Sequence, residues 1–406
     1  MIVCGRIIFM KNILVINSGS SSVKFQLIDD QGSVALKGSA EKLSLSDAHI
    51  KFEYNKKKTD EALPAESGHE EALARIFQFL NEHGLEGSLV AVGHRIVHGG
   101  EKFDQPVVIT PEVLADIKKL TPLAPLHQPA NILGIEAVSK LNANLPQVAV
   151  FDTAFHATMP ASSFRYAVPK KWYEKHGVRK YGFHGTSYKH IITKAAKTLG
   201  KKPSEVNLVV AHLGSGVSMV AIKDGKSVNT TMGFSPNSGL PMGTRSGDID
   251  MAIIPYMMER DDLTLDQVME DLNKKSGQIG VSGVADDIRY VIAAADGGNS
   301  DAQLAFDLFV KKCAEFIAAL MSSLDEMDAL IFTGGMGENG PETREAIVQH
   351  LGIFGLEIDP KINDPIIGRD GKEGLVSSAK SKYPIYMMTT NEELEIAEQT
   401  VNTIKK

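Results

Sequence analysis

The chain has 406 residues, 43% of them hydrophobic and 23% charged, which is the composition of a globular protein long enough for two domains with separate cores. Its net charge of −7 lacks the basic footprint of a nucleic-acid partner, so an anionic substrate would need locally placed Arg and Lys. Two cysteines, Cys4 and Cys313, suit a reducing compartment and exclude a disulfide framework or a Cys-rich zinc site. Residues 1–9 have neither the sustained apolar core nor the cleavage site of a signal peptide, so Met10 is expected to begin the folded domain. No run reaches the length of a membrane span, and the expectation is a soluble, cytoplasmic protein.

Ile13 to Ile16 reads as a buried strand, Asn17 to Ser22 as a hydroxyl-rich turn, and Val23, Phe25 and Leu27, alternating with Lys24 and Gln26, as a second strand. Such a turn offers backbone N–H groups, hydroxyls and the Lys24 ammonium, which is chemistry suited to phosphate oxygens. It is not a Walker loop, and taken alone it is equally well an ordinary hairpin turn. Ser67-Gly-His-Glu70 has the form of a capping box opening a helix with Leu73, Ile76, Phe77 and Leu80 on one face, stopped near Gly84. Leu89 to Val97 is a strand carrying Arg95 within Gly93-His-Arg-Ile-Val-His-Gly-Gly100. Thr110-Pro111 starts another helix. Prolines 122, 125 and 129 make an irregular stretch around Leu126 and His127, and the buried strand Gln147 to Phe151 delivers Asp152 at its end.

In the second half, Tyr181-Gly-Phe-His-Gly-Thr-Ser187 offers His184 ahead of a helix capped by Thr186 or Ser187 and running to about Leu199. Leu208 to Ile222 then repeats the order of apolar strand, Gly/Ser turn and apolar strand, which suggests a duplicated two-domain protein holding phosphates between its halves. Gly225-Lys-Ser227 is no Walker motif, because Val220 stands where a glycine is needed. Gly233 to Gly247 is a long loop without periodicity, of the functional kind, and carries Arg245. A helix spans roughly Ala302 to Leu324, and Ala329 to Thr333 is a buried strand. Gly335-Met-Gly-Glu-Asn-Gly340 is a literal G-x-G-x-x-G, but too little chain follows it for a dinucleotide fold. A Gly-rich loop at a helix start can still lie against a nucleotide. The last helix begins near Glu392, with Leu394, Ile396, Ala397 and Val401 on its apolar face. Domains are expected over 1–155 with 390–406 returning, and over 156–389.

These segments closely resemble acetate kinase, of the superfamily of acetate and sugar kinases, actin and heat-shock chaperones. The resemblance runs from Met10 nearly to the C-terminus. It rests on the Asn17 to Lys24 turn, Gly93 to Gly100, Phe151 to His156, Tyr181 to Ser187, Gly243 to Asp250 and Asn391-Glu-Glu-Leu394. It implies an α/β fold of two similar actin-like (ribonuclease H-like) domains with a nucleotide cleft, a homodimer, and ATP + acetate ⇌ ADP + acetyl phosphate with Mg²⁺ or Mn²⁺. By the same resemblance, Asn17 and Glu392 are the metal positions and Lys24 an ATP contact. Arg95 binds substrate, His184 and Arg245 stabilise the transition state, and Asp152 stands at the catalytic acid/base position. The nucleotide-binding stretches are His212, Leu213, Gly214, Ser215 and Gly216, then Asp287, Ile288 and Arg289, then Gly335, Met336, Gly337, Glu338 and Asn339. Val97, Leu126, Phe183 and Pro236 would line the pocket for the substrate methyl. Relatives usually carry Asn at Ser215 and Pro at Met251.

A carboxylate nucleophile, with a pKa of about 4, is already ionised at neutral pH. The difficulty is bringing one anion up to another, and cationic groups around the transferring phosphoryl group offset it. Asp152 therefore reads as an orienting carboxylate, holding Arg245 or a metal-bound water, and direct transfer needs no phosphoenzyme. A propionate or butyrate kinase would share nearly every motif. An ATP-gated binding protein of the actin or chaperone type would share the hairpins, but would have no need for Arg95, His184 and Arg245.

Overall fold

The computed structural model describes residues 11–405, so Cys4 and the stretch up to Met10 lie outside the described residues. The chain forms two compact units, one of residues up to Ala154 together with Asn391 onward, the other of Phe155–Thr390. Among the described residues no helix is long and apolar enough to cross a membrane.

The first unit is built on eight strands: β1 (Asn12–Gly19), β2 (Ser22–Asp29), β3 (Val34–Glu41), β4 (His49–Tyr54), β5 (Lys57–Ala62), β6 (Leu89–Ile96), β7 (Val107–Val108) and β8 (Gln147–Phe151). Their order in the sheet is β5-β4-β3-β2-β1-β6-β8-β7. β1, β2 and β3 form an antiparallel meander, and β6 and β8 add to β1 in parallel. Side chains alternate across a strand, and β1 divides its residues accordingly. Leu14 and Ile16 pack toward Leu73, Ile76 and Leu80 of the helix His69–Glu82. Ile13 and Val15 pack toward Ile396 and Ala397 of the C-terminal helix Glu392–Ile404. That helix comes so close to β6 that a Cβ on Gly93 would lie 2.4 Å from Thr400 Oγ1. Only glycine fits there.

The second unit repeats the plan. β9 (Leu208–Leu213), β10 (Val217–Lys223), β11 (Lys226–Thr230), β12 (Ala329–Thr333), β13 (Gly374–Leu375) and β14 (Ile385–Met387) run in the order β11-β10-β9-β12-β14-β13. Again three strands form an antiparallel meander and two add in parallel. The duplication suggested by two short turns is thus visible in strand order and direction.

Local differences from the sequence reading have local causes. The helix at 69 is capped by Gly68, whose N–H donates to Glu71 Oε2 at 2.8 Å, because the Ser67 hydroxyl already donates to the Pro64 carbonyl. Thr110 caps as expected, accepting from the Val113 N–H. The helix expected to be capped by Thr186 or Ser187 is Gly185–Leu199, and its cap is His184 in the left-handed region at φ 58°. The helix expected from Ala302 is Ser300–Met321, opened by Asn299, which accepts from the N–H groups of Asp301 and Ala302.

Candidate functional site

In the first unit, β6 and β8 run side by side in parallel and bring Arg95 beside the end of β8. The Arg95 guanidinium donates to both oxygens of Asp152, with Nη2 to Oδ2 at 2.6 Å and Nε at 3.0 and 3.1 Å. Asp152 is 1% exposed and pairs with Arg95, a partner not among those the sequence reading offered it, Arg245 or a metal-bound water. Burial works against the Arg95 charge, but Asp152, and behind it Glu392, more than offset this and hold its pKa above the ordinary value. Such a pair is rigid, and removing one partner strands a charge. Val97 follows β6, half-buried, with its N–H donating to Asn131 Oδ1. Leu126 is 62% exposed.

Asn17 faces Lys24 across the β1–β2 hairpin, and Glu392 opens the C-terminal helix, capped by Asn391. Lys24 is exposed and lines a groove of about 560 Å³ over β2–β5, together with Glu393. Among the described residues no cluster of three or more His, Cys, Asp or Glu could hold a metal by itself.

The second unit gathers more of the predicted residues. The turn Gly214-Ser-Gly216 joins β9 to β10. A Cβ placed on Gly216 would lie 3.3 Å from His184 Nε2 and 3.9 Å from Arg245 Nη1. His184, Arg245 and the turn therefore meet at one point. His184 holds a left-handed backbone, uncommon for a residue with a side chain and the kind of strain that a functional site retains. Its Nδ1 is bonded to Ser218 Oγ at 2.8 Å, which in turn is bonded to the Tyr188 hydroxyl. His212 stacks on the His184 ring, with centroids 4.3 Å apart, and is tied through Nδ1 to Ser187. Phe183 is buried just ahead of them, and the Pro236 carbonyl accepts from Arg245 Nη1 at 3.1 Å. Arg245 has no acidic group within ion-pair distance among the described residues, and burial lowers its pKa from the ordinary value. A half-buried guanidinium without a counter-ion is a place for an anion.

Beside this point lies a cavity of about 510 Å³ lined by Gly214, Ser215, Asp287, Ile288, Arg289, Gly335, Met336 and Asn339, all read from the sequence as nucleotide-binding. That volume suits a cofactor-sized ligand. His212, Leu213, Gly216, Gly337 and Glu338, read as nucleotide-binding too, are not among its lining residues. Glu338 Oε1 accepts from the N–H groups of Gly334 and Thr390 and so fastens the Gly-rich turn. Arg289 is engaged by Asp287, which also caps the helix Ile288–Asp296. Hydrogen bonds from Arg289 hold the Asp287 carboxyl below its ordinary range. Met242, Gln278, Phe309, Thr343 and Arg369 also line the cavity, and no motif signalled them.

The Acetokinase family matches residues 12–398. An acetate kinase of Treponema denticola is 46% identical over 401 residues, covering 97% of this chain and 100% of its own. Among solved structures, a propionate kinase from Francisella tularensis superposes with a TM-score of 0.92 at 41% identity, covering 97% of this chain and 100% of its own. An acetate kinase from Porphyromonas gingivalis gives 0.91 at 39%, with the same coverage.

Proposed function

The chain belongs to the acetokinase family, and from that premise we propose that it transfers the γ-phosphoryl group of ATP reversibly to acetate, giving acetyl phosphate and ADP. The observation that carries the reading is Arg245, a half-buried cation with no acidic partner among the described residues, set with His184 at the glycine turn beside a nucleotide-sized cavity. A phosphoryl group supplies the charge that this position lacks.

In this reading the acetate oxygen attacks the γ-phosphorus in line, and the bond to the β-phosphate oxygen breaks as the new one forms. No proton need leave acetate, so the protein's task is to offset charge and fix orientation. Arg245 and His184 donate to the equatorial oxygens, and donors of this kind are worth about 3–4 kcal/mol each where charge develops. Arg95 binds the acetate carboxylate through its remaining N–H donors, held in position by Asp152. Val97, Phe183 and Pro236 are the apolar residues this reading assigns to the methyl group, and Lys24 meets the nucleotide phosphates. Asn17 and Glu392 offer an amide and a carboxylate oxygen, hard donors suited to a hydrated Mg²⁺ or Mn²⁺ that shares its coordination with phosphates. Such an ion would supply further neutralisation of phosphate charge. The family reading extends to a cytoplasmic homodimer without membrane or nucleic-acid partners.

Acetate-dependent ADP formation by the purified chain, compared with propionate and butyrate, tests the proposal. The expected order is acetate, then propionate, with butyrate hardly used, since a methylene is worth about 1–3 kcal/mol in such a pocket. ATP consumption indifferent to all three acids would reject a carboxylate kinase. Preference for propionate would favour the second reading, a propionate kinase, which the Francisella likeness supports.

A further inference from the structure

The site residues of the first unit lie just past the end of a strand ladder. The parallel pairing of β1 with β6 stops at Ile16 and His94, while β1 runs on beside β2 as far as Gly19 and β6 beside β8 as far as Ile96. Asn17 and Ser18 on one side, and Arg95, Ile96 and Val97 on the other, therefore have no backbone ladder between them. Asn131, on the helix Gln128–Leu141, takes its place. The residue is 2% exposed. Its Nδ2 donates to the Ser18 carbonyl at 2.8 Å, and its Oδ1 accepts from the Val97 N–H at 3.0 Å. One side-chain amide thus continues the pairing where the peptide groups leave off. An amide can do both, whereas a carboxylate has no donor and an alkyl chain has neither. The helix is pressed close to the turn, for a Cβ on Gly134 would lie 2.4 Å from Ser18 Oγ. Further along, Ala137 and Val138 share a core with Leu14, Ile16 and Val92 of the two strands. The next carbonyl of the turn, that of Gly19, is held as well, by His69 Nε2 at 2.7 Å.

We infer that Asn131 is a positioning residue for phosphoryl transfer, its amide fixing the spacing between the phosphate-side turn of β1 and the strand that carries Arg95. This rests on the proposed reaction, in which Asn17 meets the metal and Lys24 the phosphates while Arg95 and Val97 hold acetate. In-line transfer depends on the separation and angle of the two reactants, and a misplacement of about 1 Å can cost about a hundredfold in rate. Buried behind both strands, Asn131 touches neither reactant. Its loss leaves every binding group present and changes only where they stand. The signature is a fall in kcat with both KM values nearly unchanged, and it shrinks once Arg95 no longer aims the acetate.

The experiment measures kcat, the KM for acetate and for ATP, and Tm in a double-mutant cycle. Asn131→Leu keeps the side-chain size and removes both hydrogen bonds. In the wild-type background it should lower kcat by roughly ten- to a hundredfold and move each KM by less than about threefold. In an Arg95→Lys background it should lower kcat by only about twofold more, because residues that act as a unit are not additive. Ile135→Val, a buried change on the same helix, should lower Tm and leave kcat within about twofold in both backgrounds. Asn131→Ala, measured in the same cycle, serves if the leucine variant does not fold. A Tm fall with unchanged kcat would make Asn131 merely structural and overturn the inference. Equal kcat losses in the two backgrounds, or a loss confined to the acetate KM, would overturn it too. Wild-type inactivity with acetate, propionate and butyrate would overturn the proposed reaction and this inference with it, whereas an active wild type beside an unaffected variant would overturn the inference alone.

Discussion

The two units share one strand plan and treat their site arginines in opposite ways. In the first, Arg95 is locked against Asp152, and its charge is balanced before any ligand arrives. In the second, Arg245 finds only the Pro236 carbonyl and the Met242 sulfur among the described residues, and burial works against its charge. A paired arginine gives a fixed direction and a modest net field. An unpaired one gives a strong field at some expense to stability. The contrast suits a reaction in which one anion must be aimed and another must have its growing charge compensated.

The contrast breaks most sharply at Arg245. Arg245→Ala should lower kcat/KM by about 3–4 kcal/mol, roughly a hundred- to a thousandfold, while leaving Tm unchanged or raised because no carboxylate is stranded. A Tm fall comparable to that of a buried-pair mutant would mean that Arg245 has a protein partner after all. Next comes Asp152→Ala, expected to lower the free energy of unfolding in urea by about 2 kcal/mol, discounted from a fully buried pair because the Arg95 side chain is 20% exposed. Unchanged stability there would show that Arg95 needs no partner.

A third measurement uses pH. Burial, only partly offset by the bond to Gln147, lowers the His94 pKa to about 4, so the folded protein holds this imidazole neutral. The unfolded chain takes up the proton near 6.5. The contribution of His94 to stability is therefore full above about pH 6.5 and is lost as pH falls toward 4, by up to about 1.4 kcal/mol per pH unit. His94→Gln should flatten the acid limb of a Tm-against-pH curve by that share, and a limb of unchanged slope would remove His94 from the account. The smallest effect belongs to Leu126. At 62% exposure, Leu126→Ala should change stability by less than about 0.5 kcal/mol and the acetate KM by less than about twofold. A larger KM change would show that this side chain is covered when substrate binds.

Much of the fold was legible because its signals are local. The two hairpins, the strand ending at Asp152 and the loop carrying Arg245 each follow from an apolar run and the residues that stop it. The cap at Gly68 was missed by one residue because Ser67 spends its hydroxyl on Pro64, a choice that no capping pattern records. The pairing of Asp152 with Arg95 was missed for a different reason. It depends on β6 and β8 becoming parallel neighbours, and they are separated in sequence by two helices. Gln278 and Thr343 carry no motif at all. They reach the lining of one cavity only through the folding of the helices Gly277–Ser282 and Pro341–Gln349.

The return of the C-terminal helix to the first sheet sets a timetable for synthesis. Ile13, Val15, Ala91, Val148 and Val150 leave the ribosome early, but Ile396 and Ala397, which cover them, are made only after the whole second unit. At ~5–20 residues per second, that apolar face waits on the order of ten seconds or more for its lid. The middle of the chain, Phe155–Thr390, is continuous and can complete its own core in the interval. The nascent first unit is therefore the natural client for a chaperone, and the moment of greatest aggregation risk falls just before the helix Glu392–Ile404 is made.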